Sequence, residues 1–197
     1  MPLINVRERK RELRNMYKRT RAAMPKALKA ELDQRLTERF LGLDEYQSCD
    51  TLFAFVSSDI ECDTSKIIKN ALETNRRVAV PRCLKQRGEM EFYFINSADD
   101  LEEGMYGILE PIPSKCERAE DFSRGLCLVP GLGFDLEGYR IGFGKGYYDR
   151  FLQRFGGTTV GICYNKCTQS KLPNGAYDKT VDILVTEKFI NRRAVKE

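Results

Sequence analysis

Beyond Asp50 the chain runs as short apolar stretches separated by helical or polar ones, and this alternation restricts the available folds more than any other feature. Thr51 to Val56 reads as a buried strand. Arg77 to Pro81, Glu91 to Ile95, Leu126 to Val129, Thr159 to Tyr164 and Val181 to Val185 read as further strands. Ser65 to Glu73 and Tyr147 to Phe155 fall between them with helical texture. Strands alternating with helices imply a largely parallel sheet covered on both faces. Such sheets bind ligands beyond the carboxyl ends of their strands.

The first forty residues differ. Val6, Leu13, Met16, Tyr17 and Met24 fall near one face at helical spacing, and Pro25 closes the run. Leu28, Leu32, Leu36 and Phe40 recur every fourth residue, giving a second amphipathic helix that ends about Gly42. The expected architecture is therefore α/β: a single three-layer domain over residues 1–197, with a mainly parallel sheet flanked by helices and opened by two N-terminal amphipathic helices. A length of 197 residues suits one core, and the sequence shows no repeat, low-complexity tract or linker.

Composition narrows the chemistry. With 42% hydrophobic and 10% aromatic residues, the chain is neither disordered nor a coiled coil. No apolar run approaches the ~18 residues of a membrane span, and no hydrophobic stretch follows the basic N-terminus, so no membrane partner and a cytoplasmic location are expected. The Arg-rich opening leaves a mitochondrial transit peptide as the alternative, although Glu8 and Glu12 interrupt it. Seven scattered cysteines without a Cys-x-x-Cys pair read as free thiols in a reducing compartment. Histidine is absent altogether. Ser-His-Asp and Cys-His machinery and imidazole metal sites are thereby excluded, leaving carboxylates, Lys, Arg, Tyr, backbone amides or a hard cation. Residues 1–40 carry twelve basic and five acidic side chains, against 21 and 24 in the remainder. Such a basic N-terminus admits a nucleic-acid-binding reading, which steep salt dependence of binding would reveal.

One stretch stands apart. Strand Leu126 to Val129 runs into Pro130-Gly-Leu-Gly-Phe-Asp135, and Arg140-Ile-Gly-Phe-Gly-Lys-Gly146 then leads directly into the helix that opens at Tyr147. Glycines at alternate positions allow successive N–H groups to turn toward one point, and a helix N-terminus beside them favours an anion. Lys145 and Arg140 add formal charge, which favours a phosphate cradle over a flexible surface turn. It is not a Walker A loop, because Gly146 rather than Ser or Thr follows Lys145, and the dinucleotide spacing is absent. A metal-bound nucleotide would then need a carboxylate. Asp149, in the first helical turn, serves equally as a metal ligand or as a complement to the helix dipole. Asp182, inside an apolar strand, either meets solvent at the strand end or, if buried, requires a cation or donors. Lys10 and Arg14, four apart on one helical face, read as a solvated basic face or as a pair reaching a triphosphate.

These residues resemble the 5-formyltetrahydrofolate cyclo-ligase family, also called 5,10-methenyltetrahydrofolate synthetase. The likeness is specific from Leu128 to Leu152, where Pro130-Gly…Phe134-Asp135 and Arg140…Gly142, Gly144, Gly146-Tyr-Tyr-Asp149 follow the family signature. Lys10-Arg-Glu-Leu-Arg14 resembles its basic N-terminal ATP motif, and Ile60-Glu61 and Met90 to Tyr93 sit where it lines the folate pocket. Phe143 departs from the polar residue common at that position. The resemblance implies an enzyme that uses ATP and Mg²⁺ to convert 5-formyltetrahydrofolate into 5,10-methenyltetrahydrofolate, acts as a monomer on these small molecules, and binds neither nucleic acid nor membrane. It assigns Lys10, Arg11, Glu12, Leu13 and Arg14 to ATP, together with Arg140, Gly142, Phe143, Gly144, Lys145, Gly146, Tyr147 and Tyr148. Lys145 and Arg140 would be the catalytic cations. Phe55, Val56, Glu61, Met90, Tyr106 and Tyr148 would hold the folate, with Glu61 on the pterin edge, and Asp149 and Asp182 would be the magnesium ligands.

Overall fold

The structure is a computed structural model that describes residues 5–84 and 88–193, apart from the side chain of Tyr106. In chain order it contains α1 (Val6–Ala22), α2 (Lys26–Leu41), α3 (Asp44–Gln47), β1 (Thr51–Phe53), α4 (Ser65–Glu73), β2 (Arg77–Cys83) and β3 (Met90–Ile95). Then follow β4 (Leu101–Glu103), β5 (Leu109–Pro111), β6 (Leu126–Val129), β7 (Gly133–Asp135), β8 (Arg140–Ile141), α5 (Tyr147–Phe151), β9 (Thr158–Ile162), β10 (Thr168–Gln169), β11 (Ile183–Val185) and β12 (Ile190–Arg192).

Seven strands form the main sheet in the order β12-β11-β9-β6-β1-β2-β3. The five inner strands are parallel, and the edges β3 and β12 pair antiparallel. Burial of these runs, complete at all four residues of β6, is what a parallel sheet covered on both faces requires. From β1 the chain winds outward to β2 and β3, then returns to the other side of β1 as β6 and continues to β9 and β11. The winding thus reverses between β1 and β6. At such a switch point the loops leaving neighbouring strands diverge and leave a crevice.

Both opening helices form where their periodicity places them. The Asn5 side chain caps α1 by accepting from the backbone N–H groups of Arg7 and Glu8. Leu13, Tyr17 and Arg21 form the buried stripe of α1, and Leu36 and Phe40 anchor α2 in the core. Helix α5 is only five residues long, ending at Phe151 rather than Phe155. A helix that short is held by packing rather than by propensity. Phe151 stacks 4.5 Å from Phe92 and 5.2 Å from Phe122, while Phe53 lies 5.3 Å from Phe155. This aromatic cluster ties β1, β3 and α5 together and fixes the glycine loop that precedes α5.

Two small sheets lie outside the pattern read from sequence. Strands β10, β7 and β8 form one and β4 with β5 the other. Their strands have two or three residues each, too few for a period of two to register. Among the described residues no helix is long and apolar enough to cross a membrane.

Replacing Phe53 by Ala removes a fully buried ring from the centre of the aromatic cluster. Urea denaturation is expected to show a loss of about 3–5 kcal/mol, with an unchanged m-value.

Candidate active site

The crevice at the switch point opens into a cleft of about 440 Å³, within the ordinary range for small-molecule sites. The loop after β1 contributes Phe55, Val56, Ser58 and Glu61, β2 contributes Pro81 and Cys83, and Pro130 follows β6. Helix α1 and the glycine loop close the opposite side.

Helix α1 lines the cleft with Lys10, Arg14 and Lys18, spaced four apart on one stripe. The other residues assigned to ATP on this helix point elsewhere. Arg11 and Glu12 pair with Glu8 and Arg9 on the outer surface, and Leu13 is buried in the core. A contiguous five-residue motif cannot face one ligand from a helix, because successive side chains are turned by about 100°. Lys10 is ion-paired with Asp178, while Arg14 Nε donates to Gly142 O at 2.9 Å, fastening the helix to the glycine loop.

Within that loop Gly144 has φ +94° and Gly146 φ +77°, a left-handed conformation that other residues adopt only under strain. A Cβ at Gly144 would also come within 3.2 Å of the Arg14 guanidinium. Gly142 meets nothing where a Cβ would lie. The cradle therefore depends on the second and third glycines rather than on all three. With α5 limited to five residues, an anion at this loop would be held by the loop amides and the side-chain cations more than by a helix dipole. Gly142, Phe143, Gly144, Lys145, Gly146, Tyr147 and Tyr148 all line the cleft, and Lys18 lies 5.3 Å from the Phe143 ring centre.

Arg140 is buried in the cleft wall, with Nη2 donating to Asp149 Oδ1 at 2.9 Å and Nη1 to Lys179 O at 2.7 Å. Its guanidinium thus orients Asp149 and holds the loop that carries Asp178. Asp149 and Asp178 both line the cleft. Asp182, expected as the second metal ligand, does not. Its Oδ2 accepts from Thr159 N at 2.9 Å and Thr159 Oγ1 at 2.6 Å, and Oδ1 meets Arg193 at 3.4 Å. That carboxylate binds the start of β9, and the donors at the strand end account for an acid in an apolar run.

Among the residues that the resemblance assigns to folate, Glu61 is buried, and Oε2 accepts from Ser58 N at 2.9 Å and Ser58 Oγ at 2.7 Å. Burial pushes its carboxyl above the usual range, against the lowering effect of the Ser58 donors. Tyr148 has a buried hydroxyl with no hydrogen-bond partner among the described residues, and desolvation raises it well above the usual phenol value. Phe55, Val56 and Met90 supply apolar surface nearby. The side chain of Tyr106 lies outside the described residues.

Lys18, Cys83, Glu110 and Asp178 belong to the cleft without having been singled out from sequence. The helical repeat from Lys10 through Arg14 points to Lys18. Asp178 carries no such signal, because only the fold decides which aspartate of the loop enters the cleft. Glu110 is buried and accepts from Cys83 N at 3.1 Å. Among the described residues no group of three or more Cys, Asp or Glu side chains could hold a metal by itself.

Glu61→Gln tests the buried carboxyl. A folded-state pKa above the ordinary glutamate value of 4.5 means that the fold holds more protons than the unfolded chain. Stability contributed by this group is therefore present at low pH and is lost as pH rises through the raised pKa. The stability of Glu61→Gln relative to the parent is expected to improve as pH rises above 4.5, followed by thermal denaturation at a series of pH values.

The chain is similar to known proteins over nearly its whole length. Residues 6–187 match the model of the 5-formyltetrahydrofolate cyclo-ligase family. The 5-formyltetrahydrofolate cyclo-ligase of Mus musculus is 28% identical over 199 residues, covering 95% of this chain and 98% of that protein. The mitochondrial 5-formyltetrahydrofolate cyclo-ligase of Arabidopsis thaliana is 31% identical over 167 residues, 78% of this chain and 60% of that longer protein. The solved 5,10-methenyltetrahydrofolate synthetase of Aquifex aeolicus superposes with a TM-score of 0.80 at 32% identity, covering 95% of this chain and 96% of that one. With its signature residues gathered at the crevice of a mostly parallel sheet, the chain belongs to the 5-formyltetrahydrofolate cyclo-ligase family.

Proposed function

We propose that the cleft binds ATP and 5-formyltetrahydrofolate side by side and converts them to 5,10-methenyltetrahydrofolate, ADP and phosphate. The observation that supports this reading is that one cleft is lined by two kinds of residue. Lys10, Arg14, Lys145 and the Gly144–Gly146 turn form a cationic, amide-rich end suited to a triphosphate. Phe55, Val56, Met90, Tyr148 and the buried Glu61 form an end suited to a flat heterocycle with hydrogen-bond donors on one edge.

In the proposed reaction the 5-formyl oxygen attacks the γ-phosphorus of ATP and ADP leaves. N10 then adds to the activated formyl carbon, and loss of phosphate with the former formyl oxygen, together with the N10 proton, leaves the methenyl bridge. Phosphoryl transfer relies on positioning and on neutralisation of charge, which explains how a chain without histidine performs it. Lys145 is assigned to the transferring phosphoryl group. Arg140, whose Nη1 and Nη2 are engaged by Lys179 and Asp149, is assigned a positioning role rather than direct contact.

The donor set fits a magnesium ion shared with phosphate oxygens, since such ions take one or two carboxylates from the protein and complete their shell elsewhere. Asp149 and Asp178 are the acids that would hold it, since both line the cleft and Asp182, bonded to Thr159, does not. When bound, the ion would neutralise charge on the phosphates. Of the basic residues behind the nucleic-acid reading, Lys10, Arg14 and Lys18 line the cleft and Arg9 and Arg11 are paired with acids, which favours the small-molecule reading.

Incubation of the purified protein with ATP, Mg²⁺ and 5-formyltetrahydrofolate is expected to generate the absorbance of the methenyl product, and omission of ATP to abolish it. Failure to form product in the complete mixture would contradict the assignment. Lys145→Met is expected to lower kcat by roughly 10²-fold, with little change in folate affinity, because the residues assigned to folate, Glu61 and Phe55, come from the loop after β1 and not from the glycine loop. A selective loss of folate binding with kcat retained would move Lys145 to the folate end.

A further inference from the structure

Arg21, three turns along α1 from Lys10, is almost completely buried, yet among the described residues no carboxylate forms an ion pair with it. Buried guanidinium groups are ordinarily paired with acids. Here Nη2 donates to Gly131 O at 2.7 Å and Nη1 to Ile60 O at 3.3 Å. Gly131 follows Pro130 and Ile60 precedes Glu61, and both Pro130 and Glu61 line the cleft. The two acceptors therefore belong to the two loops that diverge at the switch point, one after β6 and one after β1.

The surroundings of this guanidinium are thiols and rings. Cys163 Sγ lies 3.6 Å from Nη2, and Cys62 and Cys167 also face the group. The Tyr164 ring centre stands 5.4 Å from Cζ, and its hydroxyl donates to Asp33 Oδ1 at 2.7 Å and reaches Glu61 O at 3.5 Å. A hydrogen bond from Cys163 and the charge of Arg21 both draw the Cys167 thiol below its usual range, against burial.

We propose that Arg21 is a positioning residue for the folate end of the cleft: by bonding Ile60 O and Gly131 O at once, it sets the separation of the loops that carry Glu61 and Pro130. This role rests on the assignment of folate to that end. It acts through backbone carbonyls, so its loss changes the spacing of the pocket walls without removing any group that touches the nucleotide.

Arg21→Met tests it, because the replacement keeps the stem and removes both bonds. Substitution of a buried ion by an apolar group is often tolerated by the fold, which circular dichroism and thermal denaturation verify. In steady-state assays the KM for 5-formyltetrahydrofolate is expected to rise by about tenfold, with kcat and the KM for ATP within about threefold of the parent. Arg21→Lys, whose compact ammonium bonds the two carbonyls less well, is expected to give a smaller rise in the same direction. It carries the test if Arg21→Met does not fold. Cys167→Ala leaves both carbonyl bonds in place, and is expected to lower Tm while keeping the folate KM within about threefold.

A folded Arg21→Met with an unchanged folate KM would overturn the proposal. So would a parallel rise in both KM values, which would mean that α1 had shifted as a whole, or a Cys167→Ala effect on folate KM as large as that of Arg21→Met. If Arg21→Met does not fold, a parent-like folate KM in Arg21→Lys overturns it equally. Absence of methenyl product from the parent protein itself would instead count against the functional assignment.

Discussion

A parallel sheet that winds first one way and then the other leaves a crevice where it turns back, because the loops leaving the two strands at that point run to opposite sides. Here those strands are β1 and β6. The sheet cannot fill the gap with its own residues, so the remainder of the chain is arranged around it. Helix α1 crosses the opening with Leu13 and Tyr17 in the core and Lys10, Arg14 and Lys18 toward the cleft. One amphipathic helix thus serves as a structural lid and as a row of cations. Its polar stripe need not be solvated, because the cleft provides a carboxylate for Lys10 and a carbonyl for Arg14.

The glycine loop depends on the same arrangement from the other side. A turn with two residues at positive φ gains little from its own hydrogen bonds and requires external anchors. Arg14 holds it at Gly142, Arg150 Nη1 donates to Lys145 O at 3.1 Å and Gly88 O at 3.2 Å, and Phe151 roots the following helix in the aromatic cluster. Arg140 adds a further tie by joining Asp149 to the 178–179 loop. The geometry of the glycine loop is therefore a product of tertiary contacts, which hold it without the serine or threonine of a Walker loop.

Where hydrophobic period reports burial, the sequence is readable, as with α4, β3 and β6; it also places α1 and α2, although Val6, Met16 and Leu28 of their expected apolar faces are exposed, and it fails where a position depends on tertiary placement. Strands β7, β8 and β10 are too short to show a period. Gly142, Gly144 and Gly146 look equivalent as letters, but only the last two have positive φ. Asp178 and Asp182 lie four residues apart in one segment, and the chain's turn at Gly175 to Asp178 sends the first into the cleft, while β11 keeps the second against β9. Arg11, Glu12 and Leu13 share a motif with Lys10 and Arg14 yet leave its face, because helical rotation separates what sequence places side by side. Arg21 gives no sign in the sequence that it is buried, since a basic residue in a basic helix reads as solvated.

The central claim is that one cleft between α1 and the carboxyl edge of the sheet holds nucleotide and folate at opposite ends. Hydrogen exchange of the purified protein, measured with a non-hydrolysable ATP analogue and Mg²⁺ alone and then with 5-formyltetrahydrofolate added, tests it most directly. The account predicts that the nucleotide protects amides of residues 142–148, and that folate adds protection at 55–61 and around Met90. Protection by nucleotide confined to residues outside the cleft, or competition between the two ligands for the same amides, would contradict it.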